Sequence, residues 1–148
     1  MRRRIRVVSF GLKVTGDLAK QIEQFKDVAQ AEFETAVKLT AMEVLGDAVK
    51  SIQRGSKTGK IYKRGAGYHQ ASAPGEAPAS DTGRLAGDIS VEKINPLARS
   101  VGTNLRYGEW LEFGTMAIAE RPWLRPAIDF NRPFFKDQLT MAIRKAAK

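Results

Sequence analysis

The sequence predicts an α+β fold in which a long N-terminal α-helix and a C-terminal helix pack on a small antiparallel β-sheet. Three observations favour this fold class. Apolar residues recur every three or four positions over residues 17–53 and again after Pro133, as in helices with one buried face. Two short β-branched stretches, 89–94 and 99–102, lie between them. A long stretch rich in glycine, proline and serine, 54–81, predicts a loop or hairpin after the first helix.

The N-terminal segment carries a basic start and a short apolar run. Residues 4–10 are partly alternating and β-branched, which predicts a strand. Ser9 and Lys13 break the run, and no small-residue cleavage site follows it, so a secretory signal peptide is not expected. No run of about eighteen apolar residues occurs anywhere, so we expect neither a transmembrane helix nor a membrane partner.

The longest periodic segment predicts a helix of about 55 Å over residues 17–53. Thr15 or Asp17 can cap its start, and Gly55 lies just past its end. This helix is longer than a compact domain needs, so part of it is expected to pack on something else. A coiled coil is the rival interpretation, but the apolar positions follow the 3.6-residue period and not strict heptads. These positions are Leu18, Ile22, Phe25, Ala29, Phe33, Val37, Ala41, Val44, Ala48 and Ile52.

The glycine-rich stretch contains only two segments that can pair. Residues 60–64 and 68–72 predict an exposed hairpin across 65–67. A loop of this length in a small domain is usually functional or mobile, and we expect 54–81 to be mobile. Asp81 is expected to cap a short helical turn that follows the stretch.

The remaining elements follow from turn and helix signals. Asn95 and Pro96 turn the chain between the two β-branched strands. Residues 107–113 predict a short amphipathic helix, which Gly114 ends in a left-handed conformation. Pro122 suits the first turn of the last helix, with Pro126 still in its opening.

The last helix contains a proline that interrupts its hydrogen bonding. Pro133 therefore predicts a kink near Asn131. Beyond it the apolar face consists of Phe135, Leu139, Ala142, Ile143 and Ala146.

The residue types needed for catalysis do not form a recognisable group. The chain has no cysteine, and its single histidine, His69, lacks partner ligands nearby in the sequence, so no metal or other cofactor is expected. Glu109 and Glu112 share a predicted helical face, which favours an exposed ion pair with an arginine such as Arg121 over an acid–base pair. We therefore do not expect an enzyme.

The net charge of +9 implies an acidic partner without identifying it. The alternative function is nucleic-acid binding through the basic arm at residues 2–6 and the loop at 57–64. Only Tyr62 and Tyr68 offer aromatic surfaces among these cations. Trp110, Phe113 and Trp123 are expected in the core, with an assembly contact as the minority interpretation.

Three segments in order carry a family resemblance: SAPGEAPASDTGRL at 72–85, YGEWLEFGT at 107–115 and RPWLRPA at 121–127. Pro74 and Gly75 in the first segment suit a type II turn. Together the segments resemble the tail-completion, or head–tail joining, family of long-tailed bacteriophages and related prophages.

The resemblance implies a single-domain structural virion protein, a minor tail component made in the bacterial cytoplasm. It implies a ring, commonly six-fold, at the head-proximal end of the tail, which joins the tail to the head connector. The expected partners are further copies of the chain, a tail terminator or tail tube protein, a head connector or stopper protein, and DNA passing through the lumen. The candidate interface residues are Arg3, Arg4, Lys60, Tyr62, Lys63, Arg64, Tyr68, Trp110 and Trp123.

Overall fold

A computed structural model describes residues 16–148 of the chain. The predicted strand at 4–10 and the proposed cap Thr15 lie outside these residues. The described elements, in chain order, are α1 (Asp17–Arg54), β1 (Ile61–Arg64), β2 (Gly67–Gln70), α2 (Arg84–Asp88), β3 (Ser90–Asn95), β4 (Ala98–Gly102), α3 (Arg106–Phe113) and α4 (Arg125–Ala146). The predicted α+β class is confirmed, with two two-stranded antiparallel sheets in place of one sheet.

The helices α1 and α4 form an antiparallel pair. Asn131 Nδ2 donates to Asp47 Oδ2 at 2.8 Å, and farther along the pair Lys145 Nζ donates to Glu32 Oε2 at 2.9 Å. The contact is lined by small side chains, so the helix axes can approach closely. These buried alanines are Ala29, Ala36, Ala41 and Ala48 on α1, and Ala127, Ala142 and Ala146 on α4.

The hydrophobic core lies at the C-terminal end of α1. Its buried members are Val44, Ala48, Ile52, Leu85, Ala86, Ile89, Trp123 and Ala127. The helices α2 and α3 and the start of α4 surround the last turns of α1, so four segments distant in sequence meet there. Each fully buried large aliphatic side chain contributes about 1.5–3 kcal/mol relative to exposure.

The two sheets differ in how they attach to the helices. In the β3–β4 sheet, Glu34 on α1 forms ion pairs with Lys93 and Arg99, which fastens the sheet to the helix pair. The predicted turn between these strands is present, and Asn95 Oδ1 accepts a hydrogen bond from Leu97 N at 2.9 Å.

The β1–β2 hairpin stands apart, with every residue of β1 exposed. It reverses through Gly65 and Ala66 alone, because Gly67 pairs with Arg64. The sequence predicted a connection of three residues, 65–67, whereas the observed connection has two. The hairpin itself is confirmed, whereas its mobility stays a prediction.

The expected helix caps are wrong in two places. Asp17 is the first residue of α1 and does not cap it, because Gly16 occupies the cap position and no side chain bonds there. Gly83, with a left-handed φ of 73°, occupies the cap position of α2 instead of Asp81. A glycine there reverses the chain without the steric cost that a side chain would add.

The chain between α3 and α4 also departs from expectation. Gly114 has the predicted positive φ, 73°, but its ψ of 178° is extended and not left-handed helical. The helix α4 begins at Arg125, so Pro122 precedes it and only Pro126 lies in its first turn. Pro133 lies inside α4, where the lack of an N–H leaves one carbonyl without its helical donor. A kink there stays a prediction.

The first three turns of α1 project beyond the body of the protein. No side chain between Asp17 and Val28 is buried. Four large apolar residues on these turns, Leu18, Ile22, Phe25 and Val28, are each about half exposed. This projection is the surplus helix length that the sequence indicates. Residues 145–148 at the end of α4 line a pocket together with Phe25 and Val28, whereas Leu18 and Ile22 lie outside that pocket.

Two glycines in helices predict opposite effects of the same substitution. A Cβ at Gly46 in α1 meets nothing within 4 Å, whereas a Cβ at Gly108 in α3 lies 2.5 Å from Thr103 Cγ2. We expect Gly46→Ala to raise the free energy of unfolding by about 0.5–1 kcal/mol, because alanine has the higher helix propensity. We expect Gly108→Ala to lower it by about 1–3 kcal/mol through overpacking. Urea denaturation of both variants measures the difference, and equal shifts would contradict the close packing of α3.

Candidate functional site

The hairpin brings five of the candidate residues together. Opposite residues in an antiparallel pair share a face, so Tyr62 and His69 lie on one face of the hairpin and Lys63 and Tyr68 on the other. The rings of Tyr62 and His69 contact each other, with centroids 5.4 Å apart. Lys60, Tyr62, Lys63, Arg64 and Tyr68 are all exposed, as the sequence predicts for a surface loop.

Asp81 fastens the face that carries His69 to the body of the protein. Its Oδ2 lies 2.5 Å from Arg64 Nη2, and its Oδ1 lies 4.0 Å from His69 Nδ1. The aspartate therefore anchors the hairpin, which is why it is not available as a helix cap. The opposite face is exposed within the described part of the chain, and Tyr68 on that face is 79% exposed.

Glu76 organises the loop on either side of the hairpin. Its carboxylate accepts hydrogen bonds from Thr58 N at 2.9 Å, Thr58 Oγ1 at 2.7 Å and Ala73 N at 2.8 Å. The predicted type II turn positions it, since Gly75 has a φ of 83° and Glu76 N donates to Ala73 O at 3.1 Å. One carboxylate thus joins the chain entering the hairpin to the chain leaving it.

These hydrogen bonds lower the pKa of Glu76 to about 2. The largest contribution is the bond from the Ala73 amide, followed by the bonds from the amide and hydroxyl of Thr58. Each of these bonds stabilises the charged form of the carboxyl group. Lys57 lies beside it and donates to Ser51 O and Ala77 O, which closes the loop further.

A second carboxylate, Glu112, is buried at the start of α4, with 3% of its surface exposed. It accepts hydrogen bonds from the backbone amides of Trp123 at 2.7 Å, Leu124 at 2.8 Å and Arg125 at 2.9 Å. Arg125 Nε donates to it as well, at 3.1 Å. The carboxylate thereby satisfies amides that no helical carbonyl can reach, and its charge is favourable at the positive end of the helix dipole.

The pKa of Glu112 reflects two opposed effects. Burial alone raises it, but the bonds from three backbone amides and the guanidinium of Arg125 outweigh burial and hold the pKa below its usual value. Arg125 also donates to Glu120 Oε2 at 2.6 Å, and both carboxylates raise the pKa of the arginine. The expected ion pair with Arg121 is wrong, because Arg121 Nε donates to Ser72 O at 3.3 Å and its Nη1 to Ala119 O.

The two tryptophans have different environments. Trp123 is 3% exposed in the core, and its Nε1 donates to Gly108 O at 3.0 Å. Its side chain therefore offers no surface to a partner in this conformation. Trp110 is nearly half exposed on the opposite side of α3 and remains a candidate contact.

An apolar loop follows α3, between Gly114 and Arg121. Its exposed side chains, together with those at the end of α3, are Trp110, Phe113, Met116 and Ile118. The loop has a fixed shape, because Thr115 N donates to Ile118 O at 2.8 Å and Arg121 N donates to Leu111 O. We call these four residues the α3 patch. Sequence reasoning missed its last two members, although apolar residues directly after a helix-ending glycine are a usable signal.

The candidates Arg3 and Arg4 lie outside the described residues, and the interface role of all nine candidates stays a prediction. Among residues 16–148, no group of three or more histidine, cysteine, aspartate or glutamate side chains is arranged to hold a metal ion. No helix in that range has the length and apolar character needed to span a bilayer.

A small α+β subunit with uncovered apolar surfaces at two places is typical of proteins that assemble with other chains. The chain belongs to the HK97-gp10-like family, whose model, described as "Bacteriophage HK97-gp10, putative tail-component", matches residues 16–114. It is therefore a phage tail component, which implies contacts with other virion proteins. The first two resemblance segments lie in or overlap the matched range, and the segment at 121–127 lies beyond it. Comparison with curated proteins and with solved structures gave no match.

The buried carboxylate predicts a large loss of stability from a small chemical change. Glu112→Gln replaces an acceptor oxygen by an amide that faces backbone N–H donors, so we expect the free energy of unfolding to fall by about 2–4 kcal/mol. Glu109→Gln, on the same helix but exposed, is the matched control, and we expect a change within about 0.5 kcal/mol. Thermal and urea denaturation measure both, and similar shifts would contradict the capping role.

The lowered pKa of Glu76 predicts that the protein loses stability in acid. This pKa is about 2 in the folded protein and 4.5 as the ordinary value, so the stabilising effect of the carboxylate is complete above pH 4.5 and is lost as the pH falls towards 2. Wild type should therefore exceed Glu76→Gln in stability at neutral pH, with a difference that shrinks through this window. Denaturation at a series of pH values measures this difference. A difference that does not change with pH would contradict the lowered pKa.

Proposed function

We propose that this tail component forms a ring, commonly six-fold in its family by resemblance, at the head-proximal end of the tail. There it joins the tail to the head connector. Its neighbours in the particle are further copies of the chain, a tail terminator or tail tube protein, and a head connector or stopper protein. The role is structural, without catalysis, and its site of action is the virion after synthesis in the bacterial cytoplasm.

The observation that carries the proposal is the separation of two unlike apolar surfaces. The α3 patch lies at the core end of the protein, because α3 packs through Tyr107 and Leu111 on the cluster that contains Ile52. The projection of α1 around Ile22 lies at the other end. From the helical rise, about 40 Å of α1 separates Ile22 from the core end.

Unlike surfaces at opposite ends favour head-to-tail contacts between copies. A contact between two copies of one patch closes into a dimer, whereas a contact between two different patches repeats from copy to copy and forms a ring when the rotation between neighbours closes. Both surfaces carry large apolar side chains, the residue class that contributes most to stable interfaces. The body of the subunit holds each surface in place, through the α1–α4 pair and through Glu112.

The proposal predicts that polar substitutions in the α3 patch break assembly without unfolding the subunit. Phe113→Ser and Met116→Ser together should give separate heads and tails when the variant replaces the wild-type protein in its phage or prophage. Negative-stain microscopy counts joined and separate particles, and light scattering after size exclusion gives the oligomeric state of the purified protein.

The matched control is Ile94→Ser in the β3–β4 sheet, because Ile94 and Phe113 are each 66% exposed and only Phe113 lies in the patch. We expect normal joined particles from the control. Joined particles from phage that lack the protein would contradict the joining role, and joined particles from the double variant would contradict the role of the α3 patch. Separate heads and tails from both variants would contradict the specific role of the α3 patch.

A further inference from the structure

The longest stretch without an acidic residue coincides with the exposed hairpin. Between Asp47 and Glu76 the chain carries six cations and no carboxylate. These cations are Lys50, Arg54, Lys57, Lys60, Lys63 and Arg64. The joining role does not need this concentration of charge, and the α3 patch and the α1 projection lie elsewhere.

Three of the six cations already have partners within the protein. Lys50 pairs with Asp47 at 3.3 Å, Arg64 pairs with Asp81, and Lys57 donates to two backbone carbonyls. The other three, Arg54, Lys60 and Lys63, are exposed, and none has a carboxylate within 4.0 Å in the described chain. All acidic residues of the sequence lie in that described part. These three charges are therefore uncompensated.

The hairpin presents its charge in a particular shape. It is a ribbon of two strands, and among residues 16–148 no third strand pairs with it. Lys63 and Tyr68 project from one face, and Arg64 projects from the other. Its two tyrosines and Gln70 add hydrogen-bond donors, and Ile61 is its one large aliphatic side chain.

We propose that the hairpin contacts the phosphate backbone of double-stranded DNA without reading its sequence. A two-stranded ribbon is narrow enough to enter the major groove. The uncompensated Lys60 and Lys63 can then pair with phosphate oxygens, since neither has a carboxylate within 4.0 Å in the described chain. A single exposed isoleucine also gives little apolar area for a protein contact, while lysine, arginine and tyrosine are suited to phosphate oxygens.

The contact adds an activity to the joining role and does not depend on it. A ring whose hairpins meet DNA would hold the duplex as it enters or leaves the tail. Asp81 and Glu76 keep the ribbon in one orientation, because they fix its inner face and its base. This geometry leaves the face with Lys63 and Tyr68 directed away from the body.

The test is the salt dependence of DNA binding. Fluorescence anisotropy with two labelled duplexes of unrelated sequence, from about 50 to 200 mM salt, gives the slope of log affinity against log salt concentration. Removal of one phosphate-contacting lysine lowers the magnitude of this slope by about 1. We expect Lys60→Gln with Lys63→Gln to lower it by about 2, equally for both duplexes. Arg54→Gln, as a second variant, should lower it by about 1.

The matched control is Lys136→Gln with Arg144→Gln on α4, which removes two exposed positive charges that likewise have no carboxylate within 4.0 Å and lie far from the hairpin along the sequence. We expect its slope to equal that of wild type, and thermal melts verify that each variant is folded. An equal decrease of the slope in the control would overturn the proposal, because the net positive charge of the protein would then account for the binding. An unchanged slope in the hairpin variants would also overturn it and would assign any binding to other cations, such as those at residues 2–6. Unchanged DNA binding with loss of head–tail joining would overturn it in favour of a protein partner.

Discussion

The hydrogen bonds around the buried carboxylate of Glu112 are the constraint on which the arrangement of this protein depends. The carboxylate lies on α3 and binds the first amides of α4, so it fixes the angle between the two helices. The helix α4 is the long partner of α1, while α3 carries the exposed apolar patch. A single buried group therefore couples the helix pair to the surface proposed for assembly. Its charge is tolerated in the core because four donors and the helix dipole compensate for the lost water.

Carboxylates also hold segments of the protein surface in place. Glu76 holds the two ends of the hairpin loop through the nearby Ala73 and the distant Thr58, and Asp81 holds the hairpin itself through the distant Arg64. The family membership indicates a tail component, which implies contacts with other virion proteins. The carboxylates of Glu76 and Asp81 bind groups of the protein itself, so the charges that remain exposed on the hairpin are positive. This division explains how a chain with many acidic residues still carries an exposed basic ribbon.

The sequence allowed much of the fold to be predicted, since local signals define most elements. Helical periodicity located α1 within one residue at its C-terminal end, and turn residues located both hairpins. Predictions failed where a distant group decides the outcome. Pro122 looked like a helix start, yet α4 begins at Arg125 because Glu112 supplies the cap from the preceding helix. Asp81 was expected to cap α2, yet its carboxylate forms an ion pair with Arg64.

Local sequence was enough to predict the fold class, the hairpin and, by resemblance, the phage tail family. These follow from short-range periodicity, from glycine and proline geometry, and from the order of three segments. Which aromatic residues are buried depends on packing in three dimensions, since Trp110 is nearly half exposed and Trp123 is 3% exposed although both are followed by leucine in the sequence. The tertiary structure also decided which charges are compensated, because ion pairs such as Arg64 with Asp81 join residues far apart in the chain. Burial and pairing depend on the packing of whole helices, which no local pattern in the chain encodes.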